Sequence, residues 1–120
     1  MKEIGRRNVT KEITDVLFDK AHKGTSVKDA TEYSITVHGF VVYDNGDNTY
    51  HLKFIDKDDI DYYTSSQVFI REFMRIAKTT DDDFVVTPTE ATSSKGRKYI
   101  TIKEAIPAGG DNDAWKNINW

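Results

Sequence analysis

The most regular alternation of apolar and polar positions lies in residues 33–56, YSITVHGFVVYDNGDNTYHLKFID. β-Branched and aromatic residues are dense on both sides of a central turn sequence, which predicts a long β-hairpin. The turn contains Asn45-Gly46, a pair that tolerates positive φ at two successive positions. Gly39 interrupts the first arm, where a missing side chain lets a strand coil sharply. A long first strand of this kind is typical of small closed β-barrels.

A two-residue turn at Asn45-Gly46 predicts the two faces of this hairpin, and a four-residue turn would leave the same faces. A three-residue turn would instead set Val41 against His51. The predicted buried side pairs Val41 with Tyr50, Gly39 with Leu52, and Val37 with Phe54. The predicted open side carries Thr36, His38, Phe40, His51, Lys53 and Ile55.

Two helices are predicted from apolar residues at helical spacing. The first lies within residues 9–22, with Thr10 as its N-cap and Gly24 beyond its end. The second, residues 66–78, has the chain's clearest amphipathic pattern. Its apolar side consists of Phe69, Ile70, Phe73, Ile76 and Ala77, and its polar side of Arg71, Glu72, Arg75 and Lys78.

The remaining segments complete the predicted order of elements. Residues 1–8 are expected to form a solvated polar arm, and residues 61–64, DYYT, a short strand. A second hairpin is predicted from residues 84–92 and 97–105, with Pro88 confining its first arm to an edge or a bulge. Its loop is basic, and Gly109-Gly110 begins a polar tail.

The order helix, three strands, helix, two strands predicts a mainly β protein, a β-barrel with one or two helices. A helix between the third and fourth strands matches the five-stranded OB-fold. We therefore expect residues 1–106 to form a single OB-fold domain with an N-terminal arm and helix. Residues 107–120 are expected to form a flexible tail.

Length, charge and amino-acid composition exclude several classes of protein and several kinds of site. The length of 120 residues fits one domain, and a net charge of −3 argues against both a polycation and an acidic DNA mimic. The chain has no cysteine, which excludes disulfides, thiolate metal sites and a cysteine nucleophile. No apolar run reaches membrane-spanning length, and the N-terminus lacks the hydrophobic core of a signal peptide, so we expect a soluble, intracellular protein.

Catalytic and metal motifs are missing from the sequence. His22, His38 and His51 are the only histidines, and none stands in a zinc-binding motif. The acidic loop DKDDID, residues 56–61, fails the EF-hand template, because Asp61 occupies the glycine position and Gln67 the glutamate position. Motifs for nucleophilic serine, phosphate-cradling loops and dinucleotides are also absent. We therefore expect neither enzymatic activity, nor a metal, nor a cofactor.

Binding of single-stranded nucleic acid fits the residues better, because it needs flat rings that stack on bases and cations that meet phosphates. The predicted open hairpin face, the third strand and the basic loop supply both. The candidate binding residues are His38, Phe40, His51, Lys53, Tyr62, Tyr63, Lys95, Arg97, Lys98 and Tyr99. Strand alternation sends one of Tyr62 and Tyr63 outward. The open alternative is that Phe40 and one of these tyrosines fill the barrel interior.

The order of elements, the segment DYYTSSQVFIREFMRI, the KGRKY loop and the short acidic-aromatic tail resemble single-stranded DNA-binding proteins of phages that infect Gram-positive bacteria. The resemblance runs from about Ser26 onward. It implies an OB-fold that coats single-stranded DNA during phage replication and recombination, without a cofactor, as a homodimer in the host cytoplasm.

Many bacterial relatives of that group end in an acidic tail with a final phenylalanine that docks partner enzymes. The present tail departs from that pattern, since it has only Asp111 and Asp113 and ends in Trp120. Docking of replication or recombination proteins by this tail is thus an open expectation. The alternative function is a protein-protein interaction module without nucleic-acid binding.

Overall fold

The computed structural model describes residues 2–13 and 24–103, which form a mainly β structure around one long helix. The helix, α1, spans Gln67–Thr79, and a 3-10 turn spans Val27–Ala30. The strands, in chain order, are β1 Lys2–Arg7, β2 Thr25–Ser26, β3 Ile35–Asp44, β4 Tyr50–Asp56, β5 Asp61–Thr64, β6 Phe84–Val86, β7 Pro88–Thr92 and β8 Lys98–Ile102.

Six strands form one sheet, in the order β1-β3-β4-β5-β2, with β6 paired to the beginning of β3. Strands β7 and β8 form a separate two-stranded sheet. Within the described residues the six-stranded sheet does not close into the predicted barrel. β6 pairs only with residues 35–37 of β3. β8, in the second sheet, is linked to the start of α1, where the Ser66 hydroxyl donates a hydrogen bond to the carbonyl of Ile100 at 2.8 Å.

The predicted hairpin is present as β3 and β4, but its predicted register is wrong. β3 ends at Asp44 and β4 begins at Tyr50, so the connecting loop has five residues. The amide of Asn45 donates to the carbonyl of Thr49 at 3.0 Å, and Gly46 adopts a φ of 92°. An odd loop length reverses the face of one arm relative to an even one.

The observed partners are Phe40 with Phe54, Val41 with Lys53, and Val42 with Leu52. Phe40 and Val42 therefore face the core, and Val41 lies on the opposite side with Lys53. A register shift between Val37 and Gly39 marks a β-bulge at His38. The bulge returns Val37 to the buried side, as predicted.

The core is an aromatic cluster between β3, β4 and α1. The Phe40 and Phe73 rings meet edge to face with centroids 5.3 Å apart, and Phe54 contacts Phe73 at 5.2 Å. The helix predicted over residues 66–78 is confirmed to within one residue at each end. All five residues of its predicted apolar side are buried, and Met74 joins them.

The N-terminal residues form strand β1 and not the predicted solvated arm. β1 pairs with β3, and Gly39 leaves room for the chain to cross over it. A Cβ on Gly39 would lie 2.9 Å from the carbonyl oxygen of Arg7 and 3.0 Å from Cγ2 of Val9. The Arg7 guanidinium lies 5.2 Å from the centre of the Phe40 ring and donates to the carbonyl of Ala77 at 2.9 Å. These contacts hold the strand against the core.

Two other predicted segments are only partly covered. Residues 11–13 are helical, and the Thr10 hydroxyl accepts from the amide of Ile13, as an N-cap does. The rest of the first predicted helix lies outside the described residues, and so does the tail from residue 107. The first arm of the second predicted hairpin is divided at Thr87: β6 pairs with β3, and β7, beginning at Pro88, pairs with β8.

Candidate functional site

The side of the six-stranded sheet that faces away from the main core carries a row of side chains across five strands. Residues opposite one another in a sheet point to the same side, with Cβ atoms about 4.5–5.5 Å apart. One such row is Arg6, Val41, Lys53, Tyr63 and Ser26. Val41 in this row is fully buried, and the other four side chains are at least partly exposed. The neighbouring row is Glu3, Tyr43 and His51. We call the side formed by these two rows the outer face.

His51 and Lys53 lie two residues apart on this face, and both are partly buried. Burial lowers the pKa of His51, and the charge of Lys53 lowers it further. The imidazole is therefore neutral at pH 7. Burial also lowers the pKa of Lys53, while the nearby Asp61 carboxylate acts in the opposite direction. The outer face thus presents a neutral, flat imidazole next to a partly desolvated ammonium group.

At its Tyr63 end the outer face meets an open groove of about 530 Å³. The groove separates β5 and the 3-10 turn from β8, and the first turn of α1 contributes to it. Its lining residues are Ser26, Val27, Lys28, Tyr63, Thr64, Ser65, Ser66, Gln67, Val68, Lys98, Tyr99 and Ile100. Two tyrosines, two lysines and four serine or threonine side chains are among these described residues, and no carboxylate is.

Hydrogen bonds fix the groove where α1 begins. The Ser66 hydroxyl donates to the carbonyl of Ile100, and the Ser66 amide donates to the Thr64 hydroxyl at 2.9 Å. The Gln67 amide group brackets Tyr50, accepting from its backbone N–H at 2.8 Å and donating to its carbonyl at 3.0 Å. Ser66 makes no side-chain cap, and the first turn of α1 has no acidic residue. The partial positive charge of the helix N-terminus is therefore not offset by a carboxylate of that turn.

Five of the predicted site residues occupy this region. His51, Lys53 and Tyr63 share the outer face, and Lys98 and Tyr99 lie across the groove from Tyr63. Lys98 also pairs with Glu90 at 3.6 Å. Lys95 and Arg97 are exposed in the turn between β7 and β8, outside the groove lining.

The remaining three predicted site residues also lie outside this region. The predicted outward orientation of Phe40 is wrong: its ring is fully buried, because the five-residue loop turns that position toward the core. Tyr62 faces Phe54 across β4 and β5 and stacks on its ring at 5.2 Å, so the outward tyrosine is Tyr63. His38 lies in the bulge, where Nδ1 is 3.1 Å from the Asp83 carboxylate.

Sequence reasoning missed several residues of this region. Tyr43 pairs with His51 on the outer face, and a correct register would have placed it there. Lys28 enters the groove from the 3-10 turn, which carries no periodic signal in the sequence. Arg6 falls within the predicted solvated arm, although it continues the row of Lys53 and Tyr63.

Two other kinds of feature, a metal-binding cluster and a membrane-spanning helix, are not found in the described residues. No group of three or more histidine, aspartate or glutamate side chains in these residues is placed to hold a metal ion. Among the helices of the described ranges, none has the length and apolar character needed to cross a bilayer. Comparison of the chain with protein-family models, with curated proteins and with solved structures finds no match.

Proposed function

We propose that this protein binds single-stranded DNA with little sequence preference, through the outer face and the adjoining groove. The observation that carries the proposal is the groove itself, where Tyr63 and Tyr99 lie with Lys28 and Lys98 and no described carboxylate. Bases would stack on the tyrosine rings, and the lysines would meet the phosphates. This combination is what binding of single strands requires.

Charge distribution supports a polyanionic ligand despite the net charge of −3. A near-neutral protein binds nucleic acid when its basic groups gather on one surface. Here Lys53 lies opposite Tyr63, and two further lysines line the groove beyond that ring. The uncapped start of α1 adds backbone N–H groups that favour anions.

The finer fold proposal is an OB-type arrangement. Strands β3, β4 and β5 form an antiparallel meander, and α1 follows β5. After α1 come β6, which pairs with β3, and then the β7–β8 hairpin. That order agrees with the OB-fold, in which the surface of the second and third strands and two neighbouring loops binds the ligand. In the proposed arrangement, β4 and β5, which carry Lys53 and Tyr63, would be those two strands.

The biological role that we propose is coating of single-stranded DNA in phage replication and recombination, in the host cytoplasm and as a homodimer. This role rests on the resemblance of the sequence to single-stranded DNA-binding proteins of phages. It includes no catalytic step and no cofactor. Docking of replication or recombination proteins by the C-terminal tail belongs to the same proposal.

The direct test is a titration of oligo-dT followed by fluorescence anisotropy. Tyr63→Ala should lower the affinity roughly 5-fold to 150-fold, since a stacked base contributes about 1–3 kcal/mol. Tyr33→Ala removes a tyrosine that is 70% exposed and outside the groove lining, and it should bind like the wild type. Equal affinities for all three proteins would contradict the proposed site. A wild-type protein that binds no oligonucleotide would favour the interaction-module alternative.

A further inference from the structure

One cation on α1 has no counter-charge within the part of the chain that the structure describes. Arg71 is partly buried, and its Nε is inaccessible to solvent and lacks a hydrogen-bond partner. No ion pair joins its guanidinium to a described carboxylate. Burying a charged donor without a partner costs free energy, so a guanidinium in this setting favours an external anion.

The surroundings of Arg71 form a small cavity of about 140 Å³, lined by Val68, Arg71, Glu72 and Arg75. These residues stand at positions i, i+3, i+4 and i+7, so they occupy a single face of α1. Arg75 lies 3.4 Å from the Glu72 carboxylate and compensates it. The net positive charge of this face therefore belongs to Arg71.

The cavity and the groove of the proposed site have one lining residue in common. Val68 lines both, and 39% of its surface is exposed. From Val68 the helical face reaches Arg75 over about 10 Å, at 1.5 Å per residue. A chain that leaves the groove beside Val68 thus meets Arg71 within one helical turn.

We propose that Arg71 is a phosphate contact for the part of the DNA strand that leaves the groove, so that the binding track extends from β5 and β8 onto α1. The inference rests on the proposed function. The planar guanidinium fork suits a phosphodiester, to which its two Nη groups would donate parallel hydrogen bonds, because Nε is inaccessible. Val68 would lie beneath the strand between the groove and Arg71.

The test compares a short and a long oligo-dT, of about 4 and about 16 nucleotides, which bracket the site sizes of OB-folds. Arg71→Gln removes the charge, and Arg71→Met removes it while keeping an aliphatic stem. Lys78→Gln is the matched control, because it removes a charge from an exposed position of the same helix. Affinities are measured over a series of salt concentrations.

Both Arg71 variants should bind the long oligonucleotide roughly threefold to tenfold more weakly at moderate salt, with a salt slope lower by about 0.7, the value for one phosphate contact on a single strand. The short oligonucleotide and Lys78→Gln should show wild-type slopes. A wild-type slope for either folded Arg71 variant on the long oligonucleotide would overturn the inference and leave the groove intact. Equal losses on both oligonucleotides would also overturn it. A wild-type protein without affinity for either would overturn the proposed function itself.

Discussion

Lys53 and Tyr63 lie directly opposite one another on β4 and β5, on the side of the sheet that faces away from the core. The two requirements of single-strand binding, a cation and a stacking ring, are thus met by one cross-strand pair. Tyr63 also lines the groove that Lys98 and Tyr99 border from the other side. The proposed path of a single strand along both surfaces depends on this tyrosine, which belongs to both.

Phe40 should behave as a core residue and not as a binding residue. Its ring is fully buried and meets Phe73 edge to face. Phe40→Ala should lower the free energy of unfolding by about 3–5 kcal/mol, measured by urea denaturation. The folded fraction should keep its affinity for oligo-dT. A variant with wild-type stability and weakened binding would mean that the orientation of β3 is wrong.

Gly39 should be needed for the crossing of the N-terminal strand. A Cβ at this position would come within 3.1 Å of three atoms of residues 7–9, two of them backbone oxygens. Gly39→Ala should therefore cost about 1–3 kcal/mol, as overpacking does, and increase hydrogen exchange in β1. Gly46→Asn is the control, because nothing lies within 4 Å of that position and asparagine tolerates positive φ. Unchanged exchange in β1 for Gly39→Ala would contradict the crossing.

Much of this architecture could be predicted from the sequence, and the predictions that were wrong have identifiable physical causes. The amphipathic pattern predicts each end of α1 to within one residue, because apolar residues at this spacing share one face only if the segment is helical. The hairpin was also predictable, but its faces depend on loop parity. The loop uses Asp44 and Asp47 side chains to cap the amides of Gly46 and Thr49, and so extends to five residues.

The residues of the candidate site were likewise predicted correctly only where the strand alternation is uninterrupted. His51, Lys53 and Tyr63 lie on the face that the alternation predicts, because β4 and β5 run without interruption. The five-residue loop turns Phe40 to the opposite face from the predicted one. The bulge at His38 then reverses the alternation again, so that Val37 is back on the predicted face, and the sequence pattern does not reveal this bulge. Lys28 reaches the groove only through tertiary packing, which no local pattern encodes.

His51 should make folding stability depend on pH. Burial and Lys53 lower its pKa in the folded state below the ordinary value of 6.5. The unfolded chain therefore binds more protons below about pH 6.5, and stability should fall as the pH falls from that value toward the folded pKa. Thermal melts at pH 7.5 and 5.5 measure the effect. His51→Gln should lose less stability over this range, and an equal loss in both proteins would contradict the assignment.

The same histidine should couple DNA binding to pH. A phosphate close to the outer face favours the charged imidazole, so binding should raise the pKa of His51 and take up protons. Affinity for oligo-dT should thus increase as the pH falls from 7.5 to 6, at constant ionic strength. Titrations of wild type and His51→Gln give the comparison. If His51→Gln kept the full pH dependence of the affinity, other titrating groups would be its cause.

Lys98 should contribute to affinity through charge alone. Its side chain is 73% exposed and its ion pair with Glu90 is long, so Lys98→Gln should leave the melting temperature nearly unchanged. The loss of one phosphate contact should lower the salt slope for oligo-dT by about 0.7. Lys103→Gln, which removes an exposed lysine paired with Glu32, is the matched control. If the oligo-dT affinities of the two variants had the same salt slope, Lys98 would not be a phosphate contact.

The central claim, that one strand of DNA lies along the outer face and the groove, is tested most directly by backbone amide chemical shifts during titration with oligo-dT. The largest changes should fall on residues 51–53, 63–68 and 98–100, with small changes at Tyr33 and Val85, which are exposed elsewhere. A duplex of the same length should produce weaker shifts, because its bases are already stacked. Shifts that concentrate outside the outer face and groove, or equal shifts with duplex, would contradict this claim.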